Sequence, residues 1–144
     1  MMPIHEIIIY TYSGLSVATY RGERELDLTP SFFTATRLFA MENGFGDIRQ
    51  ITWMKKKCYW DHDPVKELSF ALITDVDEND EFMVNYLQLI KEGFLTSLNG
   101  DERFHVIKDG DHDLKLTRVL DGLIRTECIM CFLFTGTAPV RFRR

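Results

Sequence analysis

At 144 residues the chain is long enough to bury a hydrophobic core without disulfides or a structural metal, and a single domain over residues 1–144 is expected. Its 17 basic and 22 acidic side chains give a net charge of −5, which argues against nucleic-acid binding because that function needs a basic surface. Three cysteines, an odd and small number, do not indicate a disulfide framework. No signal peptide or membrane-length apolar run is visible, so a cytoplasmic location is expected.

The first two elements are strand-like runs joined by a tight turn. Residues Ile4–Tyr12 are apolar on both alternating faces, which indicates a central strand that is covered on both sides of its sheet. Ser13-Gly14 supplies the turn. The alternation over Leu15–Tyr20 then predicts a second strand that pairs with the first as a hairpin.

A helix with clear boundary signals follows over Pro30–Asn43. Thr29 suits the N-cap, and Pro30 suits the first helical position, where a missing N–H costs nothing. Gly44 suits the left-handed position that ends many helices. The spacing of its apolar residues predicts that one stripe is buried, namely Phe32, Ala35, Leu38 and Phe39.

Three more strand-like runs and a long helix come next. Ile48–Met54 indicates a third strand, Lys55–Lys57 a polar turn, and Cys58–Trp60 a short fourth strand within Lys57–Asp61. Leu68–Thr74 is again apolar on both faces and therefore central. A sustained helical stripe predicts a helix over Asp80–Leu98 with a buried face comprising Phe82, Met83, Tyr86, Leu87, Ile90, Phe94 and Leu98.

After residue 100 the periodicity is weaker. Phe104–Ile107 suggests a short extended piece, and a second helical stripe begins near Asp113 and runs from Leu116 to Ile124. Cys128–Phe134 is solidly apolar and is expected to be buried or covered. The sequence ends in the basic tail Arg141–Arg144.

In order and spacing these elements resemble a longin domain over residues 4–125, with 126–144 as a C-terminal extension. The resemblance rests on four features: the hairpin Ile4–Tyr20, the helix after Thr29-Pro30, the strands of Ile48–Thr74, and the junction Thr74–Asp80. Leu116–Arg125 is similar to the last helix of small adaptor-type longin proteins. The related roadblock module begins with a helix, whereas the first element here is a strand.

The longin resemblance implies an α/β (α+β) fold of profilin-like architecture. This is a five-stranded antiparallel sheet with one helix on one face and two on the other. The resemblance also implies a non-enzymatic protein without catalytic residues, cofactor or metal, which acts in vesicle trafficking or small-GTPase regulation. The implied partner is a small GTPase or another longin or roadblock subunit in a homo- or heterodimer, with peripheral membrane association through that partner.

The pair Cys128–Cys131 is formally a C-x-x-C motif. Its apolar neighbours favour buried structural cysteines, whereas a redox site needs an exposed thiol in an electropositive setting. The alternative is a metal site that recruits Cys58 and either His105 or His112, although a structural zinc site normally uses a second closely spaced ligand pair.

Three acidic clusters raise the question of a catalytic or a calcium site. Asp61-His62-Asp63 could place a histidine base between carboxylates, perhaps with Cys58, and this small cytosolic enzyme is the alternative function. A solvated loop before Pro64 is the simpler interpretation. The acidic runs that begin at Asp75 and Asp109 lack the glycine and glutamate of a calcium-binding loop, which favours polar loops and helix caps.

The candidate partner-binding residues cluster around the third and fourth strands. The longin order places Ile48–Met54 at an edge of the sheet, where unpaired backbone groups can bind another chain. Lysines and aromatics surround this edge, and the latter are either interface anchors or core residues. The candidates are Ile51, Trp53, Lys55, Lys56, Lys57, Tyr59 and Trp60. The basic clusters Lys55–Lys57 and Arg141–Arg144 could also contact an acidic lipid surface or an acidic partner.

Overall fold

The computed structural model describes residues 4–20, 29–98 and 118–125. These ranges contain β1 (Ile4–Thr11), β2 (Ser16–Tyr20), α1 (Thr29–Glu42), β3 (Gln50–Thr52), β4 (Lys56–Asp63), β5 (Leu68–Asp75) and α2 (Asp80–Leu98). Residues 118–125 form a further helical segment, α3. The predicted order of elements is confirmed, and α2 has the predicted ends.

All five strands belong to one antiparallel sheet with the order β2-β1-β5-β4-β3. The central strands β1 and β5 are buried along nearly their whole length, because apolar residues point to both faces of the sheet. The predicted antiparallel sheet with two covered faces is confirmed. β3 lies at one edge with β4 as its inner neighbour.

One face of the sheet packs against α2 and α3. Odd-numbered residues of β1, such as Ile7 and Ile9, point to this side and meet the buried stripe of α2. Leu120 and Ile124 of α3 join the same cluster. Gly93 allows α3 to come close to α2, since a Cβ atom there would lie 2.7 Å from a methyl carbon of Leu123.

The other face packs against α1 through a smaller cluster. Phe33 is its main anchor, with ring centroids 4.9 Å from Trp60 and 6.1 Å from Tyr10. Cys58 lies fully buried in the same cluster. One helix on one face and two on the other is the longin-like arrangement, so the expected fold class is confirmed.

The burial of α1 differs from the prediction. The helix buries Pro30, Phe33 and Ala40, whereas the predicted stripe that includes Phe32 and Phe39 is exposed to solvent. At 3.6 residues per turn, the members of each set lie together on one side of the helix. The less apolar set packs against the sheet, so the prediction that the more apolar stripe is buried was wrong.

The ends of both long helices follow the local sequence. At the end of α1, Gly44 has a φ of 76°, Gly44 N donates to Met41 O, and Phe45 N donates to Ala40 O, which forms a Schellman motif. This confirms the predicted role of Gly44. Asn79 caps α2, since its Oδ1 accepts from Phe82 N at 2.8 Å.

β4 is longer than predicted and extends at both ends. The predicted polar turn Lys55–Lys57 contributes Lys56 and Lys57 to the strand, and Asp61–Asp63 are strand residues rather than a loop. Pairing with the eight-residue β5 over Lys56–Asp63 accounts for the extension. A polar residue can belong to a strand when its side chain reaches solvent or a hydrogen-bond partner. A short stretch of sequence does not show whether this condition is met.

Several predicted features lie wholly or partly outside the described residues. They are the extended piece Phe104–Ile107, the acidic run from Asp109, the histidines His105 and His112, the run Cys128–Phe134 with its cysteine pair, and the tail Arg141–Arg144. Of the last helical stripe, residues 118–125 are described and helical. None of the helices within the described ranges has the length and apolar character needed to cross a bilayer.

Candidate functional site

The outer face of α1 is an exposed apolar surface. It is formed by Phe32, Ala35, Leu38, Phe39 and Met41. Phe32 and Phe39 lie on the same stripe of the helix, and their side chains are 58% and 62% exposed. Contiguous apolar patches of this kind on a folded domain usually mark a contact with another molecule.

The outer face of α1 is held in its orientation from the opposite side of the helix. Arg37 points back towards the sheet, where its guanidinium lies 4.6 Å from the ring centroid of Tyr12 and binds both carboxylate oxygens of Asp47 at 2.9 and 3.0 Å. This bidentate pair fixes α1 to the loop that follows it. The only other charged side chain in the helix is Glu42, so the outer face is nearly uncharged.

The edge of the sheet at β3 exposes backbone groups of only two residues. Trp53 N donates to Lys56 O and Trp60 N donates to Arg49 O, so the odd-numbered residues bond to β4. By the alternation of antiparallel ladders, Ile51 also bonds inwards, opposite Cys58. The groups that point away from the sheet therefore belong to Gln50 and Thr52.

The turn between β3 and β4, together with the first residue of β4, presents four exposed residues that a partner could contact. This β3–β4 tip consists of Trp53, Met54, Lys55 and Lys56. All four side chains are exposed, and Met54 reaches 91%. Of the predicted partner-binding residues, Trp53, Lys55 and Lys56 are thus on the surface, and Ile51 is half-buried against the α1-side cluster.

The structure removes Lys57, Tyr59 and Trp60 from the candidate surface, because all three are buried. Alternation along β4 sends Trp60 towards α1 and sends Lys57 and Tyr59 towards α2. Their position inside the sheet makes the aromatics core residues, which was the alternative left open by the sequence.

Lys57 and Tyr59 instead fasten the start of α2 to β4. Lys57 Nζ donates to Glu78 O at 2.7 Å and to Asp80 Oδ1 at 2.5 Å, and Tyr59 Oη donates to the same carboxylate. Burial alone would lower the pKa of Lys57, but the hydrogen bonds and charge interactions with Asp80 and Tyr59 together outweigh it, and the pKa is raised. The hydrogen bonds from Lys57 and Tyr59 in turn lower the pKa of Asp80.

The cluster Asp61-His62-Asp63 is split by the sheet, which disfavours the alternative of a single catalytic site. Asp61 Oδ2 pairs with Lys91 Nζ of α2 at 3.1 Å, whereas His62 belongs to the side that carries α1. Asp63 accepts a hydrogen bond from Lys66 N in the following turn. Successive strand residues point to opposite faces, so side chains adjacent in sequence do not converge here.

His62 takes part in a different arrangement, which sequence spacing did not reveal. Its Nδ1 lies 2.8 Å from Ser69 Oγ, and its Nε2 lies 3.4 Å from Asp47 Oδ1. Serine, histidine and aspartate are the residue types of a nucleophilic triad, yet Ser69 is only 1% exposed and cannot meet a substrate. Asp47 is already bound by Arg37. The arrangement therefore orders the packing between loop and sheet.

The cleft next to His62 is small. It has a volume of about 210 Å³ and is lined by Tyr12, Arg37, Asp47, Arg49, Trp60, Asp61, His62 and Pro64. Ligand sites usually enclose about 300–1,000 Å³. Cys58, the further member of the alternative enzyme site, is fully buried, and burial raises the pKa of its thiol, which disfavours the reactive thiolate.

His62 is expected to make the fold sensitive to acid. Burial, and secondly the charge of Arg37, lowers its pKa below the ordinary value of 6.5. As the pH falls below 6.5, the unfolded chain binds a proton that folded His62 does not, so the free energy of unfolding decreases. Urea melts at pH 7.5 and 5.5 should show that the free energy of unfolding decreases less for His62→Gln than for the wild type over this pH change. An equal loss in both proteins would contradict this origin of the pH dependence.

The residues around His62 come from separate parts of the chain. Tyr12, Arg37, Asp47, His62 and Ser69 belong to five different segments, and no motif links them. The outer face of α1 did have a signal, because two apolar stripes on one short helix are more than a single buried face requires.

No protein-family model matches the chain, and no curated protein matches it. Among solved structures, the chain is similar to the Roadblock/LC7 domain from Streptomyces avermitilis, with 10% sequence identity and a TM-score of 0.40. The likeness covers 91% of this chain and 86% of that chain. At this identity and TM-score the longin-like fold rests on the sheet order and on the cover of both faces, described above.

Proposed function

We propose that this protein is a non-enzymatic interaction module that binds another protein through the outer face of α1 and the β3 edge. The observation that carries the proposal is the apolar stripe of α1, with Phe32 and Phe39 each more than half exposed. Large aromatic side chains contribute disproportionately to binding free energy when a partner covers them.

A second chain of the same fold is the partner that fits this surface best. Two copies related by a two-fold axis can pair their α1 helices and align their β3 edges, because each contact is then made with its own equivalent. The outer face of α1 carries almost no charge, so two copies brought together do not repel each other there. A related subunit with the same architecture can take the place of the second copy.

The cellular role proposed is that of a cytoplasmic subunit in vesicle trafficking or small-GTPase regulation. It is supported by the resemblance of the elements to a longin domain and by the longin-like sheet. The partner is then a small GTPase or another longin or roadblock subunit, and peripheral membrane association can arise through that partner.

Sedimentation equilibrium over a range of concentrations tests the α1 contact. We expect Phe39→Ser to raise the dissociation constant of the dimer at least tenfold, about the effect of removing a hot-spot side chain. Val84→Ser on the exposed side of α2 is the matched control and should leave the dissociation constant unchanged. A wild-type chain that stays monomeric alone and also with purified small GTPases and longin or roadblock subunits would contradict the proposal.

The contribution of the β3 edge needs a different variant. Thr52→Pro removes an outward N–H without breaking a hydrogen bond to β4, so it should weaken the dimer while the monomer stays folded. Ile51→Pro would instead break the inward bond opposite Cys58 and disrupt the sheet itself. An unchanged dimer in a folded Thr52→Pro variant would restrict the interface to α1.

A further inference from the structure

The β3–β4 tip combines apolar exposure with unpaired positive charge. Met54 is 91% exposed and Trp53 lies exposed beside it. The ammonium groups of Lys55 and Lys56 make no ion pair with any part of the chain that the structure describes. Solvation explains the lysines, but it does not explain why a tryptophan and a methionine stand next to them at the point of a turn.

The charges around the tip leave the lysines available. Lys56 pairs in the sheet with Asp75, and the carboxylate of Asp75 is held by His5 at 2.5 Å. Lys55 contributes its backbone carbonyl, which accepts from Val76 N at 3.0 Å, and its side chain has no partner among the described residues. The carboxylates of Asp75, Asp77 and Glu78 lie within 4.8 Å of one another at the end of β5, beside Lys56. They oppose an anionic surface, so the attraction is expected to depend on the density of negative charge.

The shape of the tip decides which kind of partner fits. It is a turn at the end of a hairpin with all four side chains exposed, and neither the cleft next to His62 nor the cleft between Tyr12 and Glu67 includes Trp53 or Met54. A peptide needs a groove or a free strand edge in which to lie, whereas a lipid surface is soft and accepts a protruding side chain. Tryptophan favours the boundary between headgroups and acyl chains, and lysine is attracted to anionic headgroups.

We propose that the β3–β4 tip docks directly on an anionic lipid membrane, with Trp53 and Met54 at the headgroup level and Lys55 and Lys56 against the lipid charges. This contact differs from the membrane association through a partner that the fold resemblance implies. It does not require the outer face of α1.

The test is co-sedimentation of the full chain with vesicles of phosphatidylcholine, with and without about 30% phosphatidylserine. We expect binding only to the anionic vesicles and its loss at high salt, because the lysine contribution is screened. The emission of Trp53 should shift to the blue on binding, and the shift should vanish in Trp53→Phe. Trp60 is buried and should not contribute.

A matched pair of double variants separates the tip from overall charge. Met54→Ser with Lys55→Glu should weaken vesicle binding by roughly tenfold or more, from the loss of one apolar anchor and the reversal of one charge. Val65→Ser with Lys66→Glu makes the same changes at the β4–β5 turn, where Val65 is 84% exposed, and should keep binding within about twofold.

Four results would overturn the proposal, three of them in vesicle binding. They are no binding of the wild type to anionic vesicles, equal binding to both vesicle types, or equal losses in the two double variants. A blue shift of Trp53 with an acidic peptide but not with vesicles would also overturn it and assign the tip to an acidic protein. Should a double variant misfold by circular dichroism, the salt and lipid dependence of the wild type still decides.

Discussion

Replacing Phe33 with alanine is expected to lower the free energy of unfolding by about 3–5 kcal/mol, the usual cost of truncating a buried phenylalanine. Phe33 is buried between Tyr10 and Trp60 and is the only large apolar side chain by which α1 holds the sheet. The loss should appear in urea melts at protein concentrations low enough to keep the chain monomeric.

Phe32, the adjacent residue, is the control for Phe33. It has the same side chain on the same helix but is 58% exposed, so Phe32→Ala should change the stability of the monomer by no more than about 0.5 kcal/mol. The same variant should weaken association, because Phe32 belongs to the outer face of α1. Equal destabilisation by the two variants would contradict the orientation of α1.

A second large effect is expected at Leu87 in α2. This side chain is buried between the helix and the sheet, and Leu87→Ala should lower the free energy of unfolding by about 2–5 kcal/mol. The transfer of apolar surface and the cavity left behind both contribute to the loss.

Leu89→Ala provides the comparison two residues along the same helix. Leu89 is exposed, so its truncation should cost less than about 0.5 kcal/mol in the same urea melts. A loss at Leu87 well below 1 kcal/mol would show that the face of α2 assigned to the core is wrong.

The central strands and the long helix could be predicted because each carries its pattern within its own residues. Ile7–Ile9 and Phe70–Leu72 are apolar on both faces, and only a strand buried on both sides explains that composition. The stripe of α2 is long enough to fix its phase, and Asn79 caps the N-terminal end of the helix.

The face of α1 could not be fixed in the same way. Two stripes compete over 14 residues, and the choice depends on whether Phe33 or Phe39 meets a complementary surface on the sheet. That surface is formed by Tyr10 and Trp60, which come from strands on either side of the helix in the sequence. Packing between distant residues decided the phase.

The candidate site shows the same limit. Clusters in the sequence, such as Asp61-His62-Asp63 and Lys55–Lys57, were divided by the alternation of β4. The groups that did meet, Arg37 with Asp47 and His62 with Ser69, are separated by the end of a helix or by a turn. Residues that are adjacent in a strand point to opposite faces, so their proximity in sequence does not predict that their side chains meet. Contacts between different segments leave no pattern in the local sequence.

The position of β1 in the sheet has a consequence for synthesis of the chain. Ile9 pairs with Ala18 soon after it is made, but its other neighbour, Phe70, is about sixty residues further along. At the usual elongation rates of about 5–20 residues per second, β1 waits several seconds on the ribosome with an open edge and two apolar faces. A nascent chain of this fold thus exposes an apolar strand before its partner β5 is made, and chaperone contact during translation would be concentrated on the hairpin of β1 and β2.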